Sequence, residues 1–155
     1  EVKQWFDGTV ILSGSIGDGH SVASAIALGA DFAYLGTRFI ATEEANAEPE
    51  YKKMLEESAA QDIVYSSLFT GVLGNYLKPS IKNAGLDPEN LPDADKSSMN
   101  FGSGGNTDSK AWKDIWGSGQ GIGGIKDSPS VAELVGRIKS EYEEAYNEFK
   151  LKTGN

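Results

Sequence analysis

Residues Thr9 to Phe39, TVILSGSIGDGHSVASAIALGADFAYLGTRF, constrain the fold more than any other stretch of this chain. Val10 to Leu12 form an apolar run rich in β-branched residues and too short for a helix, which reads as a buried strand. Ser13-Gly14-Ser15 ends it with residues suited to a tight turn that leaves backbone N–H groups exposed. Asp18 stands where a helix N-cap belongs, its carboxylate able to accept from the orphan amides of the first turn. Val22, Ala25, Ile26 and Ala27 supply an apolar face, and Gly29 follows where a C′ residue often takes positive φ. Phe32 to Leu35 is a second apolar strand, closed by Gly36-Thr37. Strand, glycine turn, helix, strand, glycine turn is a βαβ crossover, and such a crossover sets two parallel strands side by side.

Both glycine turns then fall at the C-terminal ends of neighbouring parallel strands, the edge at which α/β sheets and barrels bind ligands. Glycine lets backbone approach a ligand closely and aim N–H groups at an anion. In (β/α)8 barrels the loops after strands seven and eight often hold a phosphate. Gly14 and Gly36 are equally compatible with plain tight turns, and short glycine motifs do not choose between the two readings by themselves.

Gly14-Ser15-Ile16, then Asp18-Gly19-His20, then Tyr34-Leu35-Gly36-Thr37-Arg38-Phe39 resemble the C-terminal part of the nitronate monooxygenase family, once called 2-nitropropane dioxygenases. Strand seven of that family typically ends in Gly-Gly-Ile, followed by Asp-Gly-Arg and an alanine-rich helix; strand eight ends in Gly-Thr-Arg-Phe. The resemblance continues through Ala41-Thr42-Glu43-Glu44-Ala45 and Gly119-Gln120-Gly121, and covers essentially the whole chain. Ser15 stands where a second glycine is usual, which restricts φ, and His20 stands where arginine is usual. The resemblance implies the last two strand–helix units of an FMN-dependent TIM (β/α)8 barrel, an α/β fold, followed by a mainly helical C-terminal extension.

At 155 residues the chain suffices for one ordinary domain but not for a complete (β/α)8 barrel, which takes about 250 residues. It begins at Glu1 without a Met, on a polar segment, and Val2, Trp5 and Phe6 look like the end of a preceding helix. Length and resemblance together suggest the C-terminal portion of a longer protein, whose upstream part would be required to complete the barrel. The net charge of −9 argues against nucleic acid and against an anionic membrane surface as partners. Without cysteine there is no disulfide, thiol nucleophile or thiolate metal ligand, and a single histidine limits metal sites further; no metal is expected. No apolar run approaches the roughly 18–20 residues of a membrane span, and a cytoplasmic location suits this composition.

Three regions follow. Residues 1–60 hold the two βα units. Thr42 can cap a short helix over Ala41 to Ala47, with Glu43 and Glu44 in its first turn. Pro49 starts a helix over Glu50 to Ser58, with Tyr51, Met54 and Leu55 at i, i+3, i+4. Residues 61–127 are loop-rich with short helices and are expected, on the resemblance, to lie over the active-site side. Ile63 to Tyr65 suggest a short extended segment; Phe69 to Tyr76 read as a loop; Pro79 suits the first turn of a short helix, Ser80 to Ala84, closed by Gly85. Asp87 to Ser109 read as a long loop, either functional or a solvated linker. Lys110 to Trp116 suggest a short helix with Trp112 and Trp116 used for packing. GSGQGIGG, Gly117 to Gly124, lacks the Gly-Lys-Ser/Thr of a P-loop and follows no good strand, so neither a nucleoside triphosphate nor a dinucleotide is indicated. In the family, a similar Gly-Gln segment returns towards the active-site face. Residues 128–155 carry an amphipathic helix packing on the barrel, capped by Ser128 or by Ser130, which with Glu133 can form a capping box, with Pro129 near its first turn and a stripe of Val131, Leu134, Val135, Ile138, Tyr142, Ala145 and Phe149; Leu151 to Asn155 read as a frayed tail.

The resemblance implies an FMN-dependent oxidoreductase that denitrifies alkyl nitronates, or nitroalkanes, with O2. The family's catalytic histidine belongs to an upstream glycine-rich motif absent here, so no catalytic residue is expected in this chain, and His20 reads as an exposed polar residue. What the chain can supply is the cradle for the FMN phosphate: Gly14 and Ser15 from the first turn, Tyr34, Leu35, Gly36 and Thr37 from the second, with the N–H groups of Ser15, Gly36 and Thr37 and the two hydroxyls as donors. Arg38 either pairs with the phosphate or points into the barrel wall. The alternatives are an FMN-dependent NAD(P)H reductase of the same fold, acting on quinones or enoyl thioesters, and an inactive fragment.

Overall fold

The structure is a computed structural model and describes residues 1–92 and 114–154. A single 3-10 turn, Val2–Gln4, precedes the first strand. β1 (Ile11–Ser13) and β2 (Phe32–Tyr34) pair in parallel, with Ile11 opposite Phe32, Leu12 opposite Ala33 and Ser13 opposite Tyr34. α1 (Gly19–Ala27) makes the crossover. Asp18 caps it as the sequence suggests: its carboxylate accepts from the Ser21 N–H at 2.7 Å, while the Ser21 hydroxyl accepts from the Asp18 N–H. Gly29 follows at φ +95°, a left-handed conformation open to glycine at little cost.

The next segment departs from expectation. A four-residue helix, α2 (Thr37–Ile40), follows β2 directly, and residues 41–47 form bends and turns rather than a helix. Thr42 does not cap a helix of its own; its hydroxyl donates to the Phe39 carbonyl and closes α2. Glu44 places its carboxylate on the Val131 N–H, at 2.8 and 3.0 Å, and so serves the N-terminus of the last helix instead.

α3 (Pro49–Glu57) begins at its proline as expected. β3 (Ile63–Ser66) and β4 (Gly74–Leu77) form an antiparallel hairpin, so part of the supposed loop Phe69 to Tyr76 is strand, and the extension is not mainly helical up to this point. Gly74 and Asn75 are poor strand formers; the burial of Tyr76 and Leu77 overrides their preference. α4 (Lys78–Asn83) ends before Gly85, at φ +84°. Residues 93–109 of the long Asp87 to Ser109 stretch, and Trp112 with most of the proposed Lys110 to Trp116 helix, lie outside the described residues. Trp116 itself is not helical: its carbonyl accepts from the Leu77 N–H at 2.8 Å, and the next residue, Gly117, bridges antiparallel to Tyr76. A 3-10 turn, Gln120–Gly124, follows.

α5 (Val131–Thr153) carries the Ser130–Glu133 capping box and ends at Gly154, φ +74°, so the supposed tail beyond Leu151 is still helix. α5 packs on α1. The contact is closest at Gly19, where an added Cβ would lie 2.2 Å from the Ile138 carbonyl oxygen and 2.3 Å from the Tyr142 nitrogen. Of the predicted stripe only Leu134 is fully buried, and Phe149 remains 62% exposed.

The core sits away from the parallel strands. One cluster gathers Ala41, Leu55, Leu77, Ile122 and Ile125; a second gathers Tyr76, Ile81 and Ile115. Among the described residues no helix is long and apolar enough to cross a membrane.

Candidate cofactor-binding site

β1 and β2 end side by side, and the turns that leave them open into one cleft of about 140 Å3. Gly14 and Ser15 adopt φ +100° and +55° in succession. Ser15 is the one non-glycine residue in the left-handed region among the described residues, a conformation that costs an L-residue on the order of 1–2 kcal/mol. The family resemblance puts a glycine here; this chain holds the turn with serine. Gly36 lies at φ −115°, ψ −76°, so its turn needs no positive φ. Nor does packing require glycine there: beyond its chain neighbours, an added Cβ would meet no atom within 4 Å. The N–H groups of Thr37 and Arg38 precede the first intrahelical bond of α2.

Of the residues proposed from sequence, Gly14, Ser15, Tyr34, Gly36 and Thr37 line this cleft together. Leu35, half-buried between β2 and Gly36, is not part of its lining. Gly119 and Gly121, which sequence reasoning did not assign to the site, line it too, as do Ser13, Ile16, Gly17 and Arg38. The Gly119 N–H donates to Thr37 Oγ1 at 2.8 Å, and Gly121 packs so closely on the first turn that an added Cβ would lie 3.0 Å from the Ser15 carbonyl. Their signals in the sequence were glycine density, which marks close backbone approach but names no partner, and the resemblance of Gly119-Gln120-Gly121 to a family segment that returns towards the active-site face.

Residues 117–124 thus form a strap across both strand-end turns. Its anchors lie outside the cleft lining. The Ser118 N–H donates to the Asn75 carbonyl, Ile122 is fully buried in the core, and the Tyr51 hydroxyl donates to the Gly117 carbonyl. Burial pushes the Tyr51 phenol up to about 12, which keeps that donor protonated, and its ring stacks on Trp116 at 4.9 Å.

Electrostatically the cleft differs from the rest of the molecule. The chain carries a net charge of −9, yet no Asp or Glu lines the cleft. Arg38 does not offer its guanidinium there. It is 4% exposed and turned into the wall, donating to the carbonyls of Ala41 and Asp127 and to Asp127 Oδ1 at 2.9 Å. Burial pulls its pKa below the ordinary value while the Asp127 carboxylate opposes that shift. Arg137 grips both oxygens of the same carboxylate, at 2.9 and 2.7 Å, so Asp127 links α2 to α5. His20 is exposed on α1, away from the cleft; it borders a wider groove of about 470 Å3 between α1 and α5 with Ile26, Tyr142 and Phe149.

The arrangement is a small, carboxylate-free cleft lined mostly by glycine and hydroxyl residues at the C-terminal ends of parallel strands. The family model described as nitronate monooxygenase matches residues 4–141. The chain belongs to the nitronate monooxygenase family. Members of that family are flavin-dependent oxidoreductases. A nitronate monooxygenase from Paraburkholderia phytofirmans is 30% identical over 146 residues, covering 91% of this chain and 40% of the relative. A probable nitronate monooxygenase from Staphylococcus saprophyticus is 32% identical over 62 residues, 40% of this chain and 18% of the relative. This chain therefore spans less than half the length of the nitronate monooxygenases it matches. Among solved structures, nitroalkane oxidase from Streptomyces ansochromogenes superposes with a TM-score of 0.71 at 26% identity, covering 96% of this chain and 43% of that one. FabK from Thermotoga maritima shares the fold, with a TM-score of 0.67 at 22% identity over 96% of this chain and 49% of that one.

Proposed function

We propose that this chain forms the phosphate-binding end of an FMN site in a (β/α)8-barrel enzyme that oxidises alkyl nitronates with O2. Residues 1–60 would be the last two βα units of that barrel, residues 61–127 would cover its active-site side and residues 128–155 its outer wall, the remaining strands being supplied by an upstream part of the same protein. The observation that carries this reading is the cleft: two turns at adjacent strand ends, lined by Gly14, Ser15, Gly36 and Thr37 and by no carboxylate. A phosphate dianion fits that donor set, because backbone N–H groups neutralise it without ordering long side chains. The open space beside the Gly36 Cα supports the same reading, since nothing in the protein itself requires glycine there. Bound flavin would supply the redox chemistry, and the protein's share is to bind and orient it. No group in the cleft is a general base; a base for neutral nitroalkanes would come from elsewhere in the protein.

Gly36→Val tests the assignment in the full-length protein. Because φ is negative and no atom beyond the neighbouring residues lies within 4 Å of the new Cβ, the variant is expected to fold. Its branched side chain would fill the phosphate position, so the purified protein is expected to be colourless, as measured by flavin per chain and flavin titration with circular dichroism as control. Parent-like affinity for FMN would remove the phosphate from this turn. A stopped-flow assay of flavin reduction by NADH separates the monooxygenase from an NAD(P)H-dependent reductase, which would share this cleft.

A further inference from the structure

Thr37 and Thr42 lie five residues apart, and their hydroxyls do different things. Thr42 Oγ1 donates its proton to the Phe39 carbonyl. Thr37 Oγ1 accepts from the Gly119 N–H at 2.8 Å and, among the described residues, donates to no protein atom. A hydroxyl has one proton and two lone pairs. With a lone pair held by Gly119, the Thr37 proton is left on the side of the cleft that Thr37 lines. A threonine at a helix start would otherwise turn its oxygen to nearby backbone N–H groups. We infer that Gly119 is a positioning residue: its backbone N–H, brought across the cleft by the strap, orients Thr37 as a hydrogen-bond donor to the bound anion. This rests on the reading of the cleft as the FMN phosphate site.

Three features make the arrangement directional. The strap is held from outside the cleft, by Asn75, Tyr51 and the buried Ile122, so the Gly119 N–H does not depend on the ligand for its place. Gly119 lies at φ −76°, ψ 159°, ordinary extended backbone, so glycine is not needed there for its torsions. An added Cβ would approach Thr37 Oγ1 at 3.3 Å, which marks how closely the strap sits on this side chain. Donation into Thr37 Oγ1 also polarises its O–H bond, so the two hydrogen bonds strengthen one another. Gly119 itself need not touch the flavin.

The test is a double-mutant cycle in the full-length protein, read as affinity for FMN and for riboflavin, which lacks the phosphate. Gly119→Pro keeps φ, removes the N–H and sets its ring carbon where the N–H met Thr37 Oγ1, so it both frees and displaces that hydroxyl; Thr37→Ala removes the hydroxyl and leaves room for the proline ring. Thr37→Ala is expected to weaken FMN about 10- to 100-fold, and Gly119→Pro about two- to tenfold, with riboflavin changed less than about twofold by either. On the Thr37→Ala background Gly119→Pro should cost nothing further, because there is no hydroxyl left to orient or to displace, and amide exchange in the parent separates those two causes. The inference is overturned if Gly119→Pro leaves FMN affinity intact, weakens FMN and riboflavin alike, or adds its full cost to Thr37→Ala. Should the proline variant not fold, amide exchange in the parent decides. FMN should protect the Gly119 N–H more than riboflavin does, and equal protection overturns the inference. A parent that binds FMN and riboflavin equally, with Gly36→Val and Thr37→Ala harmless, would instead overturn the phosphate site itself.

Discussion

Ile11 and Phe32 face each other across the parallel pair and are 58% and 60% exposed, whereas Leu55 in α3 and Leu77 in β4 have no exposed surface at all. The two regions differ in what their apolar residues are for. Parallel strands normally have both faces covered; in β1 and β2 Ile11, Leu12, Phe32 and Tyr34 are exposed instead. The α3-to-strap region buries its own residues in two clusters. The site belongs to both: the first region contributes the turns, and the second, through the strap, holds them in place.

The largest effect should come from the exposed apolar side chains of β1 and β2. Expressed by itself, the 155-residue chain is expected to aggregate or to lack a cooperative thermal transition, because exposed apolar strand edges invite pairing. Ile11→Thr combined with Phe32→Thr should raise its soluble fraction. A sharp transition in a monomer would erase the contrast between the regions.

Ile122→Ala probes the other side. Ile122 is fully buried, so the change should cost about 2–5 kcal/mol by urea unfolding of the full-length protein. It should also weaken flavin binding, since Ile122 anchors the strap. A cost near zero would mean that the strap does not share the core.

A smaller effect is expected at the link between α2 and α5. Hydrogen bonds from Arg137 are the main cause that holds the Asp127 carboxyl below its ordinary 3.8; burial opposes them, and the charges of Arg137 and Arg38 add to the lowering. A carboxyl whose folded pKa is depressed stabilises the fold above the unfolded value and loses that contribution as pH falls through the folded one. Asp127→Asn should therefore cost about 1–2 kcal/mol at neutral pH, the lower part of the range for charged hydrogen bonds because Asp127 is partly exposed. The gap from the parent should close below about pH 4. A gap that persists into stronger acid would show that the carboxylate charge is not what joins the helices.

The smallest effect is expected at His20. It is exposed on α1 and away from the cleft, so His20→Ala should change stability by less than about 0.5 kcal/mol and nitronate turnover by less than about threefold. A loss of about 10²-fold, the scale of a missing general base, would relocate the chemistry towards α1.

The elements that local chemistry controls were legible before folding. Asp18 and Ser21 form their cap from within four residues, Pro49 starts α3, Gly29 and Gly85 take positive φ after their helices, and Ser130 pairs with Glu133. Each depends on backbone donors and torsions that are satisfied a few residues away. The placement of two glycine turns at adjacent strand ends was legible for the same reason, since a βαβ crossover of this length leaves little choice of topology. Distant partners decided the rest. Gly74 and Asn75 join a strand because Leu77 is buried beside them. Glu44 caps a helix 87 residues away, and Gly19 is glycine because the α5 backbone occupies the place of a Cβ. Arg38 turns into the wall because Asp127 waits there, and Gly119 reaches Thr37 across 82 residues of chain. These contacts join groups whose sequence neighbours carry no trace of the partner; they exist only once burial of the core has brought the strap, α2 and α5 together.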